Sequence, residues 1–131
     1  RFMAGTQQSH VYFIGKHPHQ RVFKRCAGVV HHGGAGTSHA ATRSGCPSIV
    51  IPFMDEQLFW ARKLQSLGLA GKPLPAKYVS ANTLAKAIQN VLTNSHYYNT
   101  AQKVCPNMQE QDGVGKAVDL LTKQFYLQNS V

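Results

Sequence analysis

Two short runs hold the side chains that could do chemistry: His31-His32-Gly33-Gly34-Ala35-Gly36-Thr37, and further on Asp55-Glu56-Gln57. The first is a glycine-rich turn leading into a helix. Amides at a helix start have no intrahelical partner and carry the positive end of the helix dipole, roughly half a unit charge, so an anion is stabilised there. Glycines at 33, 34 and 36 and the small Ala35 leave those amides bare, where larger side chains would fend off a phosphate. Thr37 adds a hydroxyl, and His31 adds a ring donor that gains strength if protonated. The predicted diphosphate site is therefore His31, Gly33, Gly34, Ala35, Gly36 and Thr37. His32 reads equally as a residue packed under the turn or as a ligand contact. In the second run an acid stands beside an amide, a pair able to grip vicinal sugar hydroxyls, which makes Glu56 and Gln57 the sugar-binding candidates. Phosphate followed by hydroxyls suggests a nucleotide sugar. Glycine turns also close βα units that bind nothing, and this one is neither a P-loop nor GxGxxG.

Positioning these residues requires a strand, turn, helix, strand succession. Residues 27–30 read as a strand feeding the turn, 36–44 as a helix ending at Gly45, and 48–53 as an apolar run with its strand at 49–51, covered on both faces. From Asp55 a helix carries Trp60, Ala61, Leu64 and Leu67 on one stripe and stops near Gly68; Trp60 reads as core. Both runs then lie at the carboxyl ends of neighbouring strands, where open α/β sheets take ligands. Upstream, 2–4 reads as the remnant of a strand, 11–14 as a short strand, 15–19 as a turn and 20–25 as a short helix. Downstream, 69–74 is a short edge strand or loop. Three helices close the chain. Ser80 caps one with Leu84, Ala87, Ile88, Val91 and Leu92 on its stripe, and Ser95 caps another with Tyr98, Ala101, Val104, Cys105 and Met108. Asp112 starts the last, with Val114, Ala117, Val118, Leu121 and Phe125.

HHGGAGT, then GCP, then PF..EQLFWA resembles the donor-binding signature of the UDP-glycosyltransferase superfamily, in its sterol 3-β-glucosyltransferase and glycopeptide glycosyltransferase branch. The likeness runs from about Val11 to about Phe125. It implies a GT-B enzyme of two Rossmann-like domains, with acceptor and catalytic base in the first and nucleotide sugar in the second. This chain resembles the second: an α/β domain, a Rossmann-like parallel sheet with helices on both faces, spanning residues 1–131 and lacking its first strand and helix and the whole acceptor domain. Arg1 is not an initiator methionine, so the chain reads as a fragment. The resemblance further implies inverting transfer of a hexose, glucose in this branch, from UDP-sugar to a hydroxyl acceptor such as a sterol, another lipid or a small molecule. UDP-sugar is then a substrate, and neither cofactor nor metal is required. The catalytic base falls in the missing domain, so this chain alone should bind donor and hardly transfer. His31 matches the family's diphosphate histidine. His17 and His19 lie in the turn that faces the nucleoside, where Pro18-His19 matches a family pair. Departures are specific: Lys16 and His39 stand where plant members carry a stacking Trp and a ribose-binding Glu, Glu56 replaces the usual Asp, and Asp55 occupies a Gly position.

A chain of 131 residues suffices for one domain with a core. Lys and Arg number 14 against 5 acids, a net charge of +9. That balance attracts polyanions, anionic lipid surfaces or phosphorylated ligands without choosing among them. Most of the excess is scattered singly and the aromatic-interleaved motifs of nucleic-acid modules are absent, so no specific nucleic-acid partner is expected. Seven histidines invite a metal, but HExxH and Cys pairs are both missing. Cys26, Cys46 and Cys105 read as buried thiols of a reducing compartment. No stretch suits a membrane span or a signal peptide, which implies a cytoplasmic protein with at most peripheral membrane contact. Two other classes stay open: the donor-binding subunit of a two-chain N-acetylglucosaminyltransferase, and a non-catalytic basic module for polyanions.

Overall fold

A computed structural model describes residues 10–129 apart from Phe13. In chain order these form α1 (His19–Phe23), β1 (Val29–His31), α2 (Ala35–Arg43), β2 (Ser48–Val50), α3 (Asp55–Ser66), a 3-10 turn (Ala76–Tyr78), α4 (Ala81–Thr93), α5 (Ser95–Glu110) and α6 (Gly113–Asn129). β1 and β2 pair in parallel, Val29 with Ser48, Val30 with Ile49 and His31 with Val50. A further parallel bridge joins Ser48 to Ala70, so the stretch after α3 does lie at the sheet edge, as a single rung.

β2 shows how a three-residue strand organises the domain. Neighbouring side chains on a strand point to opposite faces. Ile49, 3% exposed, meets α4, sharing a cavity wall with Ala87 and Val91. Val50, 1% exposed, packs into a cluster with Ala61 and Leu64 of α3, Leu69, Ala70 and Ala101 of α5. Helices therefore cover both faces, as the unbroken apolar run predicts. A second cluster joins Val29, Ala41 and Cys46, with Phe23 of α1 and Cys26 against it.

The turns follow from residue type. Gly45 (φ +67°) and Gly68 (φ +70°) take the left-handed conformation just past α2 and α3, which glycine adopts without a Cβ penalty. Ser80 and Thr83 form a reciprocal capping box at the start of α4. At α5 the cap is Asn94, whose Oδ1 accepts from the His96 amide, rather than Ser95 one residue later. The Asp112 carboxylate accepts from Gly115 N–H at the start of α6. Arg43, the last residue of α2, donates to the carbonyls of Met108 (2.7 Å), Gln109 (3.1 Å) and Gln111 (3.4 Å), which closes the end of α5.

Two expectations are corrected. Residues 11–14 form no strand among the described residues, and Val11 and Ile14 are 40% and 61% exposed. A strand needs a neighbour for its ladder, and no described strand pairs with this run. The stripe of α6 is not buried either: Val114, Val118 and Leu121 are 77%, 54% and 71% exposed. Periodicity shows which face is apolar without saying what covers it. Residues 2–4 lie outside the described residues. Among those described, no helix is long and apolar enough to cross a membrane.

Candidate anion and hydroxyl site at two helix starts

His31 ends β1 and begins the glycine turn. Its Nδ1 accepts the Gly33 N–H at 3.1 Å, so in the neutral ring the proton must sit on Nε2. Nε2 is buried without a partner. Burial, with the neighbouring His32 adding to it, holds the ring's pKa down at about 4. At neutral pH the ring is therefore uncharged, and the extra donor strength that protonation would add is available only near pH 4 and below. The fixed tautomer leaves the neutral ring with its one N–H on the buried Nε2.

Gly33 has φ +91°, and a Cβ there would meet Val50 Cγ1 at 2.7 Å and the Gln57 carbonyl oxygen at 2.9 Å. Only glycine fits where the turn presses on the first turn of α3, and this contact joins the two halves of the site. Gly34 is the N-cap of α2, in extended conformation (φ −60°, ψ 144°), and no side chain bonds the helix start. The first helical bond recorded there runs from Ser38 N to Gly34 O at 2.9 Å, which leaves the amides of Ala35, Gly36 and Thr37 ahead of it for a ligand. No acid lies in this first turn. A Cβ at Gly36 would touch no protein atom within 4 Å, so packing does not demand glycine there. His32 is exposed, with its ring folded against Gly34.

At the start of α3 the chemistry inverts. Asp55 and Glu56 occupy the first turn, and Glu56 is exposed. The half-buried Gln57 reaches back to accept the Phe53 N–H on its Oε1 at 2.8 Å. Because a backbone amide can only donate, this fixes the side-chain orientation and leaves the Nε2 protons as the free end. Glu56 can accept from hydroxyls while Gln57 donates to them. Sequence reasoning missed this anchoring, although the four-residue spacing from Phe53 was visible.

The nucleoside candidates are less closely drawn in. His17 lies exposed in the turn before α1, and His19, in the first turn of α1, stacks on Phe23 with ring centroids 5.2 Å apart. α1 packs on α2, where Gln20 and Lys24 share a small cavity with Arg43 and Ser44 at the C-terminal end of that helix. Lys16 is exposed. His39 lines a groove between α2 and α3 with Trp60, which is half-buried rather than core. Cys46 is buried and its thiol pKa is pushed up to about 12, chiefly by burial, so it is inert packing.

A parallel βα turn opening on an uncapped, acid-free helix start, beside a second helix start that carries acids, is a Rossmann-like arrangement able to take an anion next to hydroxyls. The fold is that of the GT-B glycosyltransferases. It is similar to the spinosyn forosaminyltransferase SpnP (TM-score 0.81, 22% identity, 95% of this chain and 33% of that one). It is likewise similar to the glycosyltransferase VinC solved with dTDP (TM-score 0.80, 20% identity, 91% and 30%). Residues 8–119 match the family described as erythromycin biosynthesis protein CIII-like, C-terminal domain, and the chain belongs to that family, within the UDP-glycosyltransferase superfamily. Sterol 3-beta-glucosyltransferases are among its relatives: one from Arabidopsis thaliana is 35% identical over 115 residues, covering 88% of this chain and 18% of that protein. Another, from Kluyveromyces lactis, is 36% identical over 117 residues, covering 89% and 9%. The chain thus spans less than a fifth of the length of these relatives.

Proposed function

We propose that this domain holds the donor in an inverting transfer of a hexose, glucose by its relatives' names, from UDP-sugar to a hydroxyl of an acceptor carried by another domain. The carrying observation is the bare, acid-free start of α2, where no side chain caps the helix and the amides of Ala35, Gly36 and Thr37 precede its first helical bond. The diphosphate rests on the amides of Ala35, Gly36 and Thr37 and on His31, and the sugar hydroxyls on Glu56 and Gln57. His17 and His19 flank the nucleoside. The acceptor oxygen attacks the anomeric carbon, its proton passes to a base outside this site, and the bond to UDP breaks. Negative charge grows on the leaving diphosphate, where preorganised donors lower the barrier. The helix start supplies that electrostatic work, so no metal is invoked. A sterol or other lipid hydroxyl is the acceptor class that the relatives' names support.

Calorimetric titration with UDP, repeated in EDTA and with TDP and GDP as competitors, tests the reading. Saturable, EDTA-insensitive binding with preference for UDP supports it. A folded chain giving no saturable heat with any of the three removes it.

A further inference from the structure

A cavity runs along α2 and α3 from the diphosphate turn, and apart from Ala35 and Gly36 at that end the donor reading uses none of its lining. This groove of about 550 Å³ is lined by Trp60 and Leu64 from α3, Leu67 and Leu69 just after it, and Val104 and Met108 from α5. Its size falls within the range of roughly 300–1,000 Å³ typical of small-molecule sites, and its lining is similarly apolar. Three features distinguish it from an ordinary packing defect. Ser38, part of its wall, is 3% exposed, and its Oγ has no hydrogen-bond partner, an unusual state for a buried hydroxyl. The ionisable side chains lining the groove are His39 and Lys63, both exposed, and no acid lines it. The groove also reaches Ala35 and Gly36, so its occupant would lie next to the diphosphate turn.

We propose that this groove binds a small anionic amphiphile, with its single apolar chain between α2 and α3 and its acidic head at Lys63 and His39. Charge complementarity selects the head: a cationic amphiphile would meet Lys63 with no carboxylate to offset it. Of the buried hydroxyls in the wall, Thr42 donates its proton to the Ser38 carbonyl, while the Ser38 hydroxyl has no partner among the described residues. The chain's net charge of +9 attracts such a ligand from a distance.

Trp60 is the chain's single tryptophan and lines the groove, so its fluorescence reports occupancy directly. The chain is titrated with dodecanoate below its micellar range, and in parallel with dodecyltrimethylammonium. The same titrations are made on Lys63→Gln, which alters an exposed side chain, and on Val104→Phe, which fills the groove. Circular dichroism melts check that each variant folds, so the outcome does not depend on UDP binding. The expected result is a saturable change with dodecanoate, at least tenfold weaker in Lys63→Gln and for the ammonium probe, and absent in folded Val104→Phe. No saturable change, equal affinity for both heads, or an unaltered Lys63→Gln titration overturns the proposal. So does a dimer, seen by sedimentation, that dodecanoate fails to dissociate, since a second copy would then be the groove's occupant.

Discussion

α2 and α3 each begin soon after a parallel strand, each from an extended N-cap residue, Gly34 or Met54, that supplies no side-chain capping bond, yet they are prepared for opposite chemistry. The α2 start has no acid and leaves its amides bare beside a neutral His31 N–H. The α3 start carries Asp55 and Glu56, which complement its dipole and repel any phosphate that approaches. The same kind of uncapped helix start is therefore suited to an anion in one case and to hydroxyls in the other. Which it suits depends on the side chains in one helical turn. Gly33, pressed between Val50 and the Gln57 carbonyl, keeps the two starts side by side, so a diphosphate and its sugar can be read together.

The sharpest way to break this contrast is to move the acid. Gly36→Asp puts a carboxylate at the α2 start where the new Cβ meets open space, so the fold should be kept and the melting temperature unchanged or slightly raised. UDP binding should fall about 100-fold, near 3 kcal/mol, from like charges a few ångströms apart. Calorimetry showing wild-type affinity would place the diphosphate elsewhere.

A smaller effect isolates His31, which has no counterpart at the α3 start. The unfolded ring takes up a proton below about 6.5, whereas the buried ring resists until about 4. Its contribution to stability is therefore present above pH 6.5 and lost as pH falls toward 4. Between pH 7 and 4.5 this should cost the wild type about 2 kcal/mol more than His31→Gln in urea unfolding. Equal losses in the two proteins would mean that His31 is not held neutral.

The smallest effect belongs to the hydroxyl side. Glu56→Gln should leave UDP affinity unchanged and weaken UDP-glucose by about 1 kcal/mol, since a charge-assisted bond becomes a neutral one. Weakening both ligands equally would merge the two sites into one.

Much of this arrangement was legible in residue types. Gly45 and Gly68 announced the ends of α2 and α3, the run from Ser48 announced a strand buried on both faces, and the glycine turn announced bare amides. These features are local, set by backbone sterics or by the period of burial. What stayed hidden depends on contacts across the chain. The His31 tautomer follows from a hydrogen bond made only once the turn has closed. The closing of α5 by Arg43 joins residues far apart in sequence. For residues 11–14, apolar character suggested a strand, but no described neighbour pairs with it. The groove beside Trp60 was also out of reach, because a stripe identifies an inward face without saying whether facing helices fill the space between them.

The clasp made by Arg43 gives α2 a mechanical role as well. Nine residues of helix, roughly 13 Å of nearly rigid rod, have the phosphate-facing amides at one end. At the other end a guanidinium grips the carbonyls just before α6 departs. The bare amides and the point from which the chain's last helix sets out are thus fixed to the two ends of one short strut.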